Sequence, residues 1–201
     1  EALQPGDHLC CIYGTEDEHR QLLTSYISQG LQKQQRVLYL TDAHTAEQII
    51  DYLRDEDVDA EGCRQDGQLR ILSARDTYLR DGSFDPDAML ALLRTETERA
   101  IDEGYSALRI TGEMSWALGE EPGTERLIEY ENKLNQFLPG KPAMALCQYD
   151  RRRFQSELLL DILRTHPIAA IGTRVFRIFY YIPPGELLGK DPPGAELDRW
   201  I

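Results

Sequence analysis

Long apolar runs are missing from this 201-residue sequence. No stretch reaches the roughly 18 consecutive apolar residues of a membrane-spanning helix, and no signal-peptide pattern stands at the start. Basic residues are scarce, with 22 Lys and Arg against 35 Asp and Glu, a net charge of −13. Nucleic-acid affinity rests on Lys and Arg neutralising phosphate, so direct binding of DNA or RNA by this chain is not expected. An anionic membrane surface is disfavoured for the same reason. The cysteines number four, Cys10, Cys11, Cys63 and Cys147, and none forms a C-x-x-C pair. A chain of this size needs no disulfide scaffold, and a reducing, cytoplasmic setting is expected. Internal repeats and low-complexity tracts are absent too.

What remains is the composition of a folded domain. Hydrophobic residues make up 41% and charged residues 28%. The length suits one domain that buries roughly 70% of its unfolded surface. Because the sequence opens on Glu1 and not Met, it is expected to be a piece of a longer protein.

Two kinds of apolar pattern alternate. Strand-length runs occur at Leu9–Tyr13, Val37–Leu40, Leu69–Leu72, Leu108–Ile110, Ala143–Cys147, Ile168–Ile171 and Val175–Tyr181. Helical spacing fills Glu16–Lys33, Thr45–Arg54, Asp85–Glu103, Thr124–Phe137 and Phe154–Arg164. Asp85-Pro86 marks a helix start, and Gly104 and Gly30 read as helix ends. The alternation predicts βαβ units and a mainly parallel central sheet flanked by helices, an α/β fold. The short Gly172-Thr173-Arg174 connection predicts a C-terminal antiparallel hairpin. Residues 1–188 are read as the domain, and the proline-rich stretch 189–201 as a linker or the start of a connecting helix.

Ligands of parallel α/β sheets collect beyond the carboxyl ends of the strands. The loop after the first strand reads Tyr13-Gly14-Thr15-Glu16-Asp17-Glu18-His19-Arg20-Gln21. A phosphate loop, G-x-x-x-x-G-K-[ST], needs backbone N–H groups to cradle phosphate, a Lys to neutralise it and a hydroxyl for magnesium. No register of this loop supplies all three. Instead Glu16, Asp17 and Glu18 would each repel a phosphate, by about 1 kcal/mol at 4 Å in water and about 4 kcal/mol near a protein surface. They suit a helix N-terminus occupied by its own carboxylates. The strand through Ile110 carries no Walker-B aspartate at its end; Glu113 stands nearest that place. Nucleotide hydrolysis is therefore not expected. No Ser/His/Asp or Cys/His set is spaced for a nucleophile, so the domain is read as non-enzymatic, without catalytic residues or cofactor.

Several segments resemble the MEDS domain, a prokaryotic sensory family: Asp7-His8-Leu9-Cys10, Ile12-Tyr13, Val37-Leu38-Tyr39, Thr41-Asp42, Gly112-Glu113-Met114-Ser115-Trp116, Cys147-Gln148-Tyr149-Asp150 and His166-Pro167. The resemblance implies a RecA/KaiC-like three-layer fold with a degenerate phosphate loop. It also implies a role in signal transduction, including two-component systems, with a covalently linked kinase, PAS or DNA-binding module. The implied input is a small hydrocarbon derivative, such as a halomethane or a methylated compound.

If the strand order is RecA-like, the Ala143–Cys147 strand lies beside the first. One rim then gathers a candidate ligand site from Tyr13, Asp42, Glu113, Met114, Trp116, Gln148 and Tyr149. Aromatic rings, a soft thioether and a few polar groups suit a small, mostly apolar ligand. Packing of Met114 and Trp116 in the core is the competing reading. Arg109 is a candidate partner for Glu113. The alternatives are residual nucleotide binding, protein interaction without a small ligand, and metal or redox sensing through His8, Cys10 and Cys147. His166 reads as a helix end near the C-terminal dipole. Arg151-Arg152-Arg153 reads as a solvated helix start, or as an anion or partner contact. A homodimer is admitted, and coupling to a downstream module is expected through the segment around Trp200.

Overall fold

Among the described residues, seven strands form one sheet in the order β3-β2-β4-β5-β1-β6-β7. In chain order the elements are β1 (His8–Tyr13), α1 (Glu16–Gln32), β2 (Arg36–Thr41), α2 (Ala46–Arg54), α3 (Ala60–Gln65), β3 (Leu69–Ser73), α4 (Pro86–Asp102), β4 (Leu108–Glu113), α5 (Leu127–Phe137), β5 (Ala143–Asp150), α6 (Ser156–Thr165), β6 (Ile168–Ile171) and β7 (Arg174–Arg177). The computed structural model describes residues 3–172 and 174–184. The expectations for 189–201 and Trp200 lie outside the described residues.

Every strand pairing is parallel except β6 with β7. The strands of the sheet's centre are buried on both faces, which is why they read as near-continuous apolar runs. One face packs on α1, α2 and α3, and the other on α4, α5 and α6. The helix starts follow the local chemistry. Thr15 caps α1, Asp85 caps α4 ahead of Pro86, and Thr45 with Gln48 forms a full capping box on α2. Gly104, at φ +89°, follows the end of α4 in the left-handed conformation that suits glycine.

The alternation of elements is as the patterns predict, with five differences. β4 runs on to Glu113 and β5 to Asp150, because the parallel pairing continues in register past the apolar runs (Glu113 opposite Gln148, Tyr13 opposite Asp150). β7 ends at Arg177, and its four residues are exposed at the sheet edge. The stretch before α5 is 3-10 helix over Thr124–Arg126. The short α3 carries too few apolar positions to show a period. Gly30 does not end α1 but lies inside it.

Gly30 has a different purpose. A Cβ there would come within 2.6 Å of Arg109 Cδ and 2.9 Å of its Nε. Arg109 lies fully buried between α1 and the sheet, donating to Gln35 Oε1 (2.7 Å) and to the Tyr26 carbonyl (3.0 Å). Its guanidinium carbon stands 4.6 Å from the centre of the Tyr26 ring. A helix-interior Gly→Ala change ordinarily stabilises by about 1 kcal/mol. Here the sign should reverse: Gly30→Ala is expected to destabilise by roughly 1–3 kcal/mol through overpacking. Chemical denaturation checks this, and a gain in stability would show that Arg109 has room to move.

Candidate functional site

The β1–α1 connection is short and closed on itself. Thr15 Oγ1 accepts from the Glu18 N–H (3.2 Å), and the Glu18 carboxylate accepts from the Gly14 N–H (2.7 Å). Carboxylate thus occupies the helix N-terminus, where partial positive charge favours an anion.

Beside it, Glu113 is buried at the end of β4. Its Oε2 accepts from the backbone N–H groups of Asp42 (2.8 Å), Ala43 (2.5 Å) and His44 (3.0 Å). Its Oε1 accepts from the Tyr39 hydroxyl (2.6 Å) and His44 Nδ1 (2.9 Å). Burial pushes the Glu113 carboxyl up, but the bond and charge of His44, the Tyr39 hydroxyl and the Asp42 N–H outweigh it, so the group sits below its ordinary value. His44 also reaches Glu16 with Nε2 (3.0 Å). With both ring nitrogens on carboxylates it is an imidazolium, and the Glu113 bond raises it, against burial, to about 9. Arg152 extends the chain of charges, bonding Glu16 (2.5 Å) and Asp150 (2.8 Å). The basic cluster therefore supplies an ion-pair partner to the rim.

His19 completes this surface. Its ring lies 4.6 Å from His44, stacked, and 4.5 Å from Tyr13. Gln148 donates to Thr111 Oγ1 (2.7 Å), which itself donates to the Leu146 carbonyl. That fixes the amide so that Gln148 Oε1 accepts from His19 Nε2 at 2.6 Å. His19 Nδ1 is then a buried acceptor with no protein partner.

The opposite face of the sheet carries a second cluster. His8, Glu131, Cys147 and His166 are all buried, and their ligand-type atoms lie within 4.8 Å of one another. Glu131 Oε2 stands 3.1 Å from His8 Nε2, 3.3 Å from His166 Nε2 and 3.4 Å from Cys147 Sγ. The Tyr149 hydroxyl donates to the other oxygen, Oε1. Burial pushes the Glu131 carboxyl up, while charge on His166 and His8, when those rings are protonated, pulls it below the usual range. Burial and His166 push His8 down.

The family model for the MEDS domain, described as the methanogen/methylotroph, DcmR sensory domain, matches residues 7–167. The chain belongs to the MEDS family. It is 30% identical over 162 residues to the transcriptional repressor DcmR of Methylorubrum extorquens, covering 80% of this chain and 58% of that protein. The chain thus spans little more than half the length of that relative. A KaiC-like protein of the archaeon Pyrococcus horikoshii superposes with a TM-score of 0.58 at 13% identity, over 83% of this chain and 71% of that one. That likeness shows the fold, a KaiC-like, RecA-type α/β architecture. Family and relative together give this MEDS domain a regulatory, signal-sensing role. No helix among the described residues is long and apolar enough to cross a membrane.

Within the MEDS domain, the seven residues named from sequence divide. Tyr13, Asp42, Glu113 and Gln148 meet at the rim, where Asp42 also accepts from the Ser115 hydroxyl (2.5 Å). Met114, Trp116 and Tyr149 are buried in the core on the other face. The Trp116 ring stacks on Tyr78 at 4.7 Å and lies 4.3 Å from Phe84. Arg109 shares the face of Glu113 but sits four residues back along β4, roughly 13 Å away, and does not pair with it. Of His8, Cys10 and Cys147, the first and third meet at 3.6 Å. Cys10 instead points its thiol at the Ile168 carbonyl, 3.9 Å away. His166 is the C-cap residue of α6, and Nδ1 bonds the Ile162 carbonyl of the last turn (2.7 Å). His19, His44 and Glu131 carry no motif. Glu131 does leave a trace: it interrupts the otherwise apolar stripe of Leu127, Tyr130 and Leu134 in α5.

His44 gives a pH test. Its folded value lies above the ordinary 6.5, so its contribution is complete below about 6.5 and is lost as pH rises through about 9. His44→Gln is expected to cost roughly 2 kcal/mol at pH 6.5. The gap from wild type should close as pH passes about 9. A gap independent of pH in thermal melts would show that His44 is not an imidazolium.

Proposed function

We propose that this MEDS domain is the input module of a transcriptional regulator and reads a small molecule at the rim without binding or hydrolysing nucleoside triphosphate. One observation carries the non-hydrolytic part: the Glu18 carboxylate takes the Gly14 N–H that a phosphate loop would turn on its ligand. Glu113, nearest the place of a magnesium-holding carboxylate, has committed both oxygens to the 42–44 loop, Tyr39 and His44. Neither group can serve a nucleotide without dismantling the rim.

The reading face is Tyr13, Asp42, Glu113 and Gln148 with His19 and His44, backed by Met114, Trp116 and Tyr149. The ligand class is a small hydrocarbon derivative. A single donor on such a molecule would fill the bond that His19 Nδ1 lacks, between the rings of Tyr13 and His44. The similarity to a longer transcriptional repressor supports a DNA-binding output in the same polypeptide, with this acidic domain leaving DNA contact to that part.

Thermal shift tests both halves. Millimolar ATP with magnesium is expected to leave the melting temperature unchanged, since only a ligand of the native state raises it. A halomethane, methanol and methylamine are the small-molecule probes. At least one should raise the melting temperature of wild type and not of His19→Phe. Stabilisation by ATP would overturn the reading that nucleoside triphosphate does not bind, and equal shifts in His19→Phe would move the ligand off the rim.

A further inference from the structure

We infer that His8, Glu131, Cys147 and His166 form a site for one divalent metal ion, zinc above all. The hydrogen bonds fix where the ring protons are. Asn135 Nδ2 donates to the Thr165 carbonyl (2.5 Å), which turns its Oδ1 toward His8 Nδ1 (2.9 Å). A carbonyl oxygen only accepts, so His8 Nδ1 carries the proton. His166 Nδ1 faces the Ile162 carbonyl at 2.7 Å and must donate as well. Both imidazoles, when neutral, therefore aim a bare Nε2 lone pair at the Glu131 carboxylate, 3.1 and 3.3 Å away. His166 Nε2 has no hydrogen-bond partner. Two imidazole lone pairs, a carboxylate oxygen and a sulfur converge with one thiol proton among them, in a place that is 0–4% exposed. That is a surplus of acceptors, and a cation supplies what it lacks.

The dimensions and chemistry select the cation. The recorded edges of the cluster are 3.1, 3.3, 3.4 and 3.6 Å. A tetrahedron with zinc–ligand distances of roughly 2.0–2.3 Å has edges of about 3.3–3.8 Å. Imidazole and thiolate favour zinc over calcium or magnesium. One carboxylate and one thiolate neutralise a divalent ion, so the filled site buries no net charge. Each histidine donates its other ring proton to a carbonyl oxygen, the usual way a metal-bound imidazole is oriented. The Tyr149 hydroxyl holds the second oxygen of Glu131. Four protein ligands close the coordination sphere, which marks a structural ion. It would tie β1 and β5 to α5 and to the α6–β6 turn. The site lies across the sheet from the rim, so it stands or falls apart from the ligand reading above.

The test is cobalt titration of the purified 201-residue chain after chelator treatment, with circular dichroism confirming that it stays folded. One equivalent of cobalt should produce a thiolate charge-transfer band and the strong visible bands of tetrahedral coordination, and one equivalent of zinc should abolish both. Cys147→Ser should lose the charge-transfer band, while Cys10→Ser, which removes a buried thiol outside the cluster, should keep it. Asn135→Ala should weaken cobalt binding roughly 10- to 100-fold by releasing His8. A folded wild-type chain that gives no such band, or a band that survives Cys147→Ser, would overturn the metal site and leave the cluster held by protons. If Cys147→Ser does not fold, the wild-type and Cys10→Ser spectra decide the question.

Discussion

An ionised carboxylate inside a protein is tolerated only when donors surround it, and the rim of this domain is organised around one. Glu113 sits at the end of β4, an interior strand of the sheet, where water cannot serve it. Three successive backbone N–H groups, a tyrosine hydroxyl and an imidazolium fill that requirement. The consequences spread outward. The 42–44 loop takes the shape that aims its N–H groups inward, which brings His44 over Glu113 and its second nitrogen to Glu16. Glu16 begins α1 and pairs with Arg152, which pairs with Asp150 at the end of β5. Strands β2, β4 and β5 and the start of α1 are thus joined through one carboxylate. Donors that could collect an anionic ligand at a strand end are here taken by an anion of the protein itself.

The same rule acts on the opposite face with a different outcome. Glu131 is as deeply buried as Glu113, yet few of its neighbours are fixed donors. Tyr149 serves one oxygen, while both histidines have committed their Nδ1 protons elsewhere. Glu113 is saturated by protein and needs nothing more. Glu131 is surrounded by groups that share its need for a cation. The two carboxylates therefore differ in what surrounds them: fixed donors close around Glu113, while acceptors crowd Glu131.

Much of the architecture was legible because burial on both faces writes apolar strands and burial on one face writes helical stripes. The Asp85-Pro86 start and the acidic first turn of α1 followed from cap chemistry visible in the sequence. The errors arose where one residue's conformation depended on a distant partner. Gly30 resembled a helix end, but its missing Cβ makes room for Arg109 from another strand. Trp116 and Tyr149 follow rim residues in sequence yet turn to the other face, because alternate strand residues point oppositely and the 3-10 turn after β4 folds Trp116 back onto Tyr78. The rim histidines and Glu131 were the least legible. A buried polar side chain is defined by what surrounds it, and only the apolar stripe around Glu131 hinted that it was unusual.

The central claim is that the Glu113 carboxylate holds the rim closed in the absence of any ligand. Amide hydrogen exchange at Asp42, Ala43 and His44 tests it most directly, because these three N–H groups belong to a loop and yet bond a buried carboxylate. The account predicts that they exchange as slowly as the amides of β4, through opening on the scale of global unfolding. Exchange at the rate of exposed loop amides in the wild-type chain would contradict it.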